Sequence, residues 1–473
     1  MTEEEPLVNL EKEDVVVTEK VFIEEVKETS RIALPMIVVT VSQYLLRVSP
    51  MIMLGHLGEL SLSSASIATS LSNVTGYSVL FGMCSALETL CGQAYGAGQY
   101  RKLGTFTYSA IICLFLVCIP VSVLWIFTDK LLILTGQDPS IATEAGKYAI
   151  WLIPTLFPYA ILQSLVRYLQ AQSLIQPMLL SAVVSLCFQV TICWAFIFKL
   201  NLGIAGAALS ISLSYWLNVI LLILYVKYSS VCEKTRASFS TDFFLTTGDF
   251  FRFAIPSAVM VCLEWWAFEL IILLSGLFPN PMLETSVLSI CTRISNELGA
   301  GRPQAAKIAL AAVIVLSATE FVLASITLFV VRNVWGYAFS YEKEVVTYVA
   351  EITPILCISI IMDGIQAVLS GVARGSGWQH IGAYVNLGAY YLVGIPAVLL
   401  LGFVFHLKGK GLWSGLVAGT TVQCISLSLV TGFTNWEKQA IEARRRIFSE
   451  KLTGKNKFIE LQDIQMLESE MKL

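Results

Sequence analysis

Apolar runs of about 20 residues, parted by short polar connectors, recur along almost the whole chain. A helix of that length crosses the hydrocarbon layer of a bilayer, because each residue advances it by about 1.5 Å. The runs predict helices near 32–54, 65–90, 106–127, 148–171, 178–198 and 204–226, then near 250–278, 307–331, 346–370, 382–404 and 411–433. The first set holds six spans and the second five. Between them lies the one long polar connector, Lys227 to Asp249, which carries Lys234 and Arg236. The expected architecture is an all-α polytopic membrane protein: an acidic tail (1–30), a six-helix bundle (31–227), a linker (228–249), a C-terminal bundle (250–434) and a charged tail (435–473).

Internal repetition sharpens this division. Arg31-Ile-Ala-Leu-Pro35 and Arg252-Phe-Ala-Ile-Pro256 match as the openings of two halves, and Gly96-Ala-Gly98 is repeated as Gly299-Ala-Gly301. Each Gly-Ala-Gly follows an apolar run and precedes basic residues, Arg101 and Lys102 in the first copy, Arg302 and Lys307 in the second. That order is expected of a helix end, a tight turn and the start of the next helix at the cytoplasmic face. The two copies differ in spacing. Pro35 and Gly96 are 61 positions apart, whereas Pro256 and Gly299 are 43 apart. Downstream the register recovers, with 56 positions from Gly98 to Pro154 and 53 from Gly301 to Pro354. The deficit of 18 positions is about one span. It falls near 280–293, where only Ser286 to Cys291 is apolar. Two bundles of six and five spans are therefore expected where the repeat is written for six and six, with the second bundle either inverted or served by a segment that does not span.

Composition supports the membrane assignment. The chain is 56% hydrophobic, 14% charged and has a mean hydropathy of +0.72, far from the balance of a soluble domain. In a twelve-span frame the alternate loops place Arg101, Lys102, Lys227, Lys234, Arg236, Arg293, Arg302, Lys307 and Arg374 on the side of both tails, with Arg444, Arg445 and Arg446 adding to the bias. Ten acidic residues between Glu3 and Glu28 make the first stretch a solvated tail, lacking the basic start and apolar core of a signal peptide. Eleven cysteines scattered through apolar runs, with no Cys-x-x-Cys pair, read as small buried hydrophobes.

Four motifs in order identify a family. Glu88-Thr-Leu-Cys-Gly-Gln-Ala-Tyr-Gly-Ala-Gly-Gln99, Arg293-Ile-Ser-Asn-Glu-Leu-Gly-Ala-Gly301, Met53-Leu-Gly-His-Leu-Gly-Glu-Leu60 and Gly371-Val-Ala-Arg-Gly-Ser-Gly-Trp378 resemble the plant branch of the multidrug and toxic compound extrusion (MATE) transporters. The resemblance runs from about Arg31 to Trp436. It implies two six-helix bundles related by pseudo-two-fold symmetry, a central cavity open to one side at a time, and cation-driven antiport of organic solutes. In that family a helix rich in small and aromatic residues lies between the counterparts of Cys291 and Arg293. Here Cys291-Thr292-Arg293 joins directly.

An ionisable side chain in the hydrocarbon layer is expensive, so each one is a candidate for function. Glu264 lies eight residues past Pro256 and Asp363 nine past Pro354, with Gln366 one turn on. At comparable depth the two carboxyls could share one cavity and hold or release a proton, and the resemblance implies that they are the coupling acids of the C-terminal bundle. Glu269, about 500 degrees of helix rotation beyond Glu264, falls on another face and is either a structural partner or part of the site. Glu88 near the end of the second span is either a cavity residue or an interfacial one. Arg47, which cannot lose its proton, either projects into the cavity, where Gln43 would be its neighbour, or reaches for the interface. Asn386 and Tyr390 at i and i+4 would form a polar stripe for substrate contact or for interhelical hydrogen bonding.

The expected activity is export of organic solutes (organic cations, flavonoid- or alkaloid-like xenobiotics) in exchange for protons, or Na+, by alternating access. No cofactor, metal site or nucleic-acid partner is expected. The partners are the solutes and the lipid bilayer, the chain is expected to be a monomer, and the location is the plasma membrane or the vacuolar membrane of a plant cell. The alternative is a non-transporting or misfolded truncated isoform. An enzyme is not expected, since His56, His380 and His406 are far apart and no nucleophile motif is present. No repeated filter sequence favours a channel.

Overall fold

The computed structural model of the protein describes residues 5–236, 243–275, 294–335 and 343–449. Among these residues there is no strand, and eleven helices are long and apolar enough to span a bilayer. In chain order the elements are α1 (Glu5–Gly55), α2 (Leu60–Gly96), α3 (Tyr100–Ile126), α4 (Thr128–Leu134), α5 (Pro139–Ala171), α6 (Gln176–Lys199) and α7 (Gly203–Tyr228). They continue with α8 (Phe243–Ser275), a short α9 (294–299), α10 (Pro303–Trp335), α11 (Lys343–Ser376), α12 (Gln379–Val404), α13 (Lys408–Gly432) and α14 (Trp436–Ser449). The apolar part of α1 is Pro35–Gly55, so much of the acidic N-terminal stretch continues the same helix outward.

The buried apolar side chains of the first bundle form one continuous core that also takes in Phe250 and Phe253 of α8 and Ile447 of α14. In the second bundle the described residues form two smaller clusters, one around Met260, Val368 and Trp436 and one around Tyr390, Val398 and Leu416. Nine of the ten described cysteines are buried and none is paired, which fits their reading as small apolar side chains.

Both Gly-Ala-Gly sequences end helices in the same way. Gln99 N–H donates to the Ala94 carbonyl at 2.9 Å and Gly98 N–H to Tyr95 at 3.0 Å; Arg302 N–H donates to Glu297 at 2.9 Å and Gly301 N–H to Leu298 at 3.0 Å. This is the Schellman arrangement, whose left-handed residue is Gly98 (φ 71°) in one copy and Gly301 (φ 73°) in the other.

The two helix ends cross each other without side chains between them. A Cβ on Gly96 would overlap the Asn296 carbonyl, and a Cβ on Gly299 would overlap the Gln93 backbone. Gln93 and Asn296 hold the same place in the repeat, three residues before their glycines. The contact is therefore reciprocal, as at a two-fold interface, and it fixes the axis relating the two halves.

The helix pair also settles the direction of the second bundle. Phe253 near the start of α8 lies under Arg446 at the end where the two Gly-Ala-Gly turns meet, the hinge end, whereas Glu269 near its finish bonds Ser70 at the start of α2, the opposite end. α8 thus crosses the bundle, and α9 lies back at the hinge end. The stretch between Ser275 and Ile294, including the deficit near 280–293, lies outside the described residues. The second bundle is not inverted: the turns at Gly98, Gly301 and Gly377 and helix α14 all gather at one end. The close crossing yields a prediction. Gly96→Ala is expected to cost about 1–3 kcal/mol by overpacking, whereas Gly98→Asn, with open space around it and a residue that tolerates φ > 0, is expected to cost less than half as much. Thermal unfolding in detergent checks the order.

Candidate functional site

Two groups of buried polar side chains stand out, one inside the second bundle and one between the bundles. The first is assembled by α8, α11, α12 and α13. Gln366 donates through Nε2 to Glu264 Oε2 at 2.9 Å and to Ser370 Oγ at 2.9 Å, and Ser359 Oγ donates to Asp363 Oδ2 at 2.9 Å. The Tyr390 hydroxyl lies within electrostatic reach of both Glu264 and Asp363, and Thr420 approaches Tyr390 and Asp363. Asp363, Gln366 and Tyr390 are buried; Glu264 is half-buried.

Local irregularity of the helices makes this grouping possible. Pro256 and Pro354 remove backbone donors from α8 and α11. In α12 the segment Leu387–Gly394 is π-helical, a widened turn that is frequent at functional sites. Just before it, Asn386 Nδ2 donates to the Met260 carbonyl at 2.8 Å and Asn386 Oδ1 accepts from Gln423 Nε2 at 2.6 Å. Asn386 therefore ties α12 to α8 one turn before Glu264. This is the interhelical hydrogen bonding that the sequence offers for Asn386, and Tyr390, one turn on, lies within electrostatic reach of the acids.

Glu269 stands apart from this group, as its helical rotation predicts. Its carboxylate accepts from Ser70 Oγ at 2.6 Å and Asn73 Nδ2 at 3.4 Å, next to the bond from Trp266 Nε1 to the Val74 carbonyl. It joins α8 to the π-helical turn Asn73–Tyr77 of α2 and is a structural partner. Arg47 is half-buried and lies within electrostatic reach of Tyr77, which packs edge-on against Trp125 and Tyr159. Arg47 thus lies near the Tyr77 phenol of its own bundle. Gln43 is half-buried on α1 and enters none of these contacts.

The second group corrects the reading of Glu88. This residue is closed off from any cavity here: its side chain is 1% exposed and bridges Arg167 of α5 (Nε–Oε1 3.4 Å, 1% exposed) and Arg374 of α11 (Nε–Oε2 3.0 Å, 6% exposed). Arg374, counted above among the loop cations, is buried because Thr89 and Gln379 anchor the neighbouring chain. Thr89 Oγ1 donates to the Arg374 carbonyl and accepts from Gln379 Nε2 at 2.6 Å. Gln93 Nε2 donates to the Gly375 carbonyl at 3.2 Å, and Arg167 bonds Gln163 and lies 4.6 Å over the Phe81 ring. α14 covers this layer. Arg446 donates to Gln93 Oε1 at 3.0 Å and to the Ser376 carbonyl, Lys102 donates to the Ile447 carbonyl, and Trp378 Nε1 donates to Gln439 at 3.3 Å. Burial lowers the Arg446 guanidinium from its ordinary value, with Glu442 acting in the other direction. Arg167 was not singled out from the sequence, although an arginine in the apolar run 148–171 meets the same rule that selected Arg47.

Comparison with known proteins fits this arrangement of membrane helices. The MatE family model matches residues 35–195 and 283–400. The chain belongs to the MatE family. Protein DETOXIFICATION 9 and Protein DETOXIFICATION 14 of Arabidopsis thaliana are 52% and 53% identical over 453 residues, covering 92% of this chain and 94% and 93% of those proteins. The crystal structure of the eukaryotic MATE transporter AtDTX14 superposes with a TM-score of 0.85 at 52% identity, over 90% of this chain and 100% of that one. The Vibrio cholerae MATE transporter VcmN in the bent form shares the fold (TM-score 0.74) at 16% identity. This protein is accordingly a multi-pass integral membrane protein of a transporter family of multidrug and toxin efflux. Among the described residues no cluster of His, Cys, Asp and Glu could hold a metal ion.

The bond from Gln366 to Glu264 can be tested directly. Gln366→Met keeps the volume but removes the bond to the half-buried Glu264 carboxylate and the one to Ser370, an expected loss of about 1 kcal/mol. The melting temperature is expected to fall and transport to weaken, while Gln43→Met, which removes none of these bonds, leaves the melting temperature within the error of the measurement.

Proposed function

We propose that this chain is a secondary antiporter that exports organic solutes in exchange for protons, with Glu264 and Asp363 as the coupling acids. The observation that carries the reading is the polar group Glu264–Gln366–Asp363–Tyr390 inside a bundle of apolar helices. Carboxyl groups are costly there, and a proton relieves the cost. Taking up a proton removes the charge that holds an organic cation or orders the surrounding hydroxyls, so solute and proton compete for one site. Alternation of the two bundles then moves each in its own direction. Organic cations and flavonoid- or alkaloid-like compounds are the proposed substrates. The aromatic residues of the chain, 11% of its length, provide faces on which planar cations bind. The plasma membrane and the vacuolar membrane both supply an inward or lumenal proton gradient for this exchange, no cofactor takes part, and the chain works as a monomer. Na+ in place of the proton would use the same acids.

A second reading is favoured by the eighteen-position deficit in the second half: a chain one helix short that folds and does not transport. Expression of this chain in a drug-sensitive cell separates the two, since resistance requires transport. The site assignment is tested in vesicles. Glu264→Gln and Asp363→Asn are each expected to lower proton-driven efflux at least about tenfold, the effect of roughly 1.4 kcal/mol. Unchanged efflux in both variants would show that neither acid couples.

A further inference from the structure

We infer that Glu88, Arg167 and Arg374 form a charge-relay gate at the hinge end, in which Arg374 is the moving cation and Arg167 the resident one. The inference rests on the alternating-access reading and adds to it a part that lies outside the acid site. Glu88 and Arg167 belong to α2 and α5 of the first bundle, and Arg374 to α11 of the second. The carboxylate therefore has one partner that travels with it and one that does not. When the bundles part at this end, the 3.0 Å contact to Arg374 must break, while the 3.4 Å contact to Arg167 can persist.

The consequence follows from the cost of burying single charges. Removing one partner of a buried ion pair is costly because it leaves an uncompensated charge in a medium that solvates it poorly. With Arg167 present, Glu88 stays neutralised in both states, and only Arg374 has to be taken up by water entering the opened end. In the closed state two guanidinium groups share a single carboxylate, so their mutual repulsion already favours the departure of one. The two arginines thus act in opposite senses: Arg374 holds the gate shut through its own contact, and Arg167 makes that contact dispensable.

The surroundings of the triad carry an independent mark of a surface that is wet in another state. Buried polar atoms gather here without a protein partner among the described residues: both side-chain atoms of Gln170, one turn past Arg167, together with Gln379 Oε1, Ser376 Oγ and Asn296 Oδ1. Gln379 bonds across the bundles to Thr89, and Asn296 donates across them to the Ala171 carbonyl at 3.1 Å. A layer that only had to pack would satisfy these atoms or replace them with apolar ones. A layer that opens to water gains by keeping them. The ion triad itself is the reverse of a simple interbundle clasp, which would have needed one arginine.

The test uses the sign of two substitutions. Gln170 makes no bond that would be lost, so Gln170→Cys, in a version of the full chain whose native cysteines are replaced and which still transports, reports access of a membrane-impermeant thiol reagent from the hinge side. Arg374→Gln is expected to raise the labelling rate several-fold, because the contact that closes the gate is gone. Arg167→Gln is expected to lower it below the parent rate, because opening now strands Glu88. A purely structural role predicts that both substitutions loosen the protein and raise labelling together, and that outcome would overturn the relay. If a variant fails to accumulate, Arg374→Lys and Arg167→Lys keep the charge with fewer donors and are expected to move the rate in the same two opposite directions with smaller amplitude. Rates moving together, or not moving, overturn the relay there as well. A parent that transports but is never labelled at position 170 overturns the relay alone, and a full chain that does not transport with its native cysteines in place overturns it together with the antiporter reading.

Discussion

The crossing of two glycine-ended helices at the hinge end governs much of what surrounds it. Because neither Gly96 nor Gly299 carries a side chain, the backbone of α2 lies directly on that of α9. Small residues allow such close approach of membrane helices, where packing rather than exclusion of water drives association. The approach brings Thr89, Gln93 and Ser295 within hydrogen-bonding reach of the opposing half: Ser295 Oγ donates to the Thr89 carbonyl at 3.1 Å, and Gln93 reaches the Gly375 carbonyl. Only with the backbones so close can Glu88 touch Arg374. Larger residues at the crossing would separate the bundles and leave three buried charges without their partners.

The two polar groups of the molecule use the same low-dielectric surroundings for different ends. Inside the second bundle, Glu264 and Asp363 are given neutral neighbours, Gln366, Ser359, Thr420 and Tyr390. Such neighbours support either protonation state, because amides and hydroxyls can donate or accept. Between the bundles Glu88 is given two guanidinium groups, which support only the ionised form. The first group thus surrounds its acids with neutral donors and acceptors, and the second pairs its acid with two fixed cations. α14 reinforces the second: Arg446 contacts Gln93 of one half and Ser376 of the other, and Phe253 packs beneath it.

Much of the fold was legible in the sequence because lipid imposes a single requirement, an apolar run long enough to span. The eleven predicted runs correspond to the eleven spans, and the paired Gly-Ala-Gly sequences announced the turns at Gly98 and Gly301. The apolar runs begin later than the helices where polar residues continue the helix beyond the bilayer, as at Pro139, which follows the N-cap Asp138. The partners of the ionisable residues were not legible. Glu88 and Arg374 are 286 positions apart, and nothing local to either distinguishes a buried ion pair from a charge at a helix end. Arg374 sits only three residues before a turn glycine, so counting loop charges assigned it to water. Glu269 was separated from Glu264 by helical rotation alone, yet its bond to Ser70 depends on how two bundles meet.

The shortened second half bears on this asymmetry. In the first bundle one helix, α2, supplies Ser70, Asn73, Glu88, Thr89 and Gln93, and so binds the other half at both ends. The repeat places the deficit of the second half in the counterpart of that same helix. Of that counterpart, α9 retains the turn, the close crossing and the reciprocal pair Asn296 and Gln93. The contacts that α2 makes from its opposite end, through Ser70 and Asn73 to Glu269, do not require the counterpart at all, because their partner is α8. Among the described residues, the hinge end is closed around Glu88 by the last turns of α2 together with α9 and the end of α11.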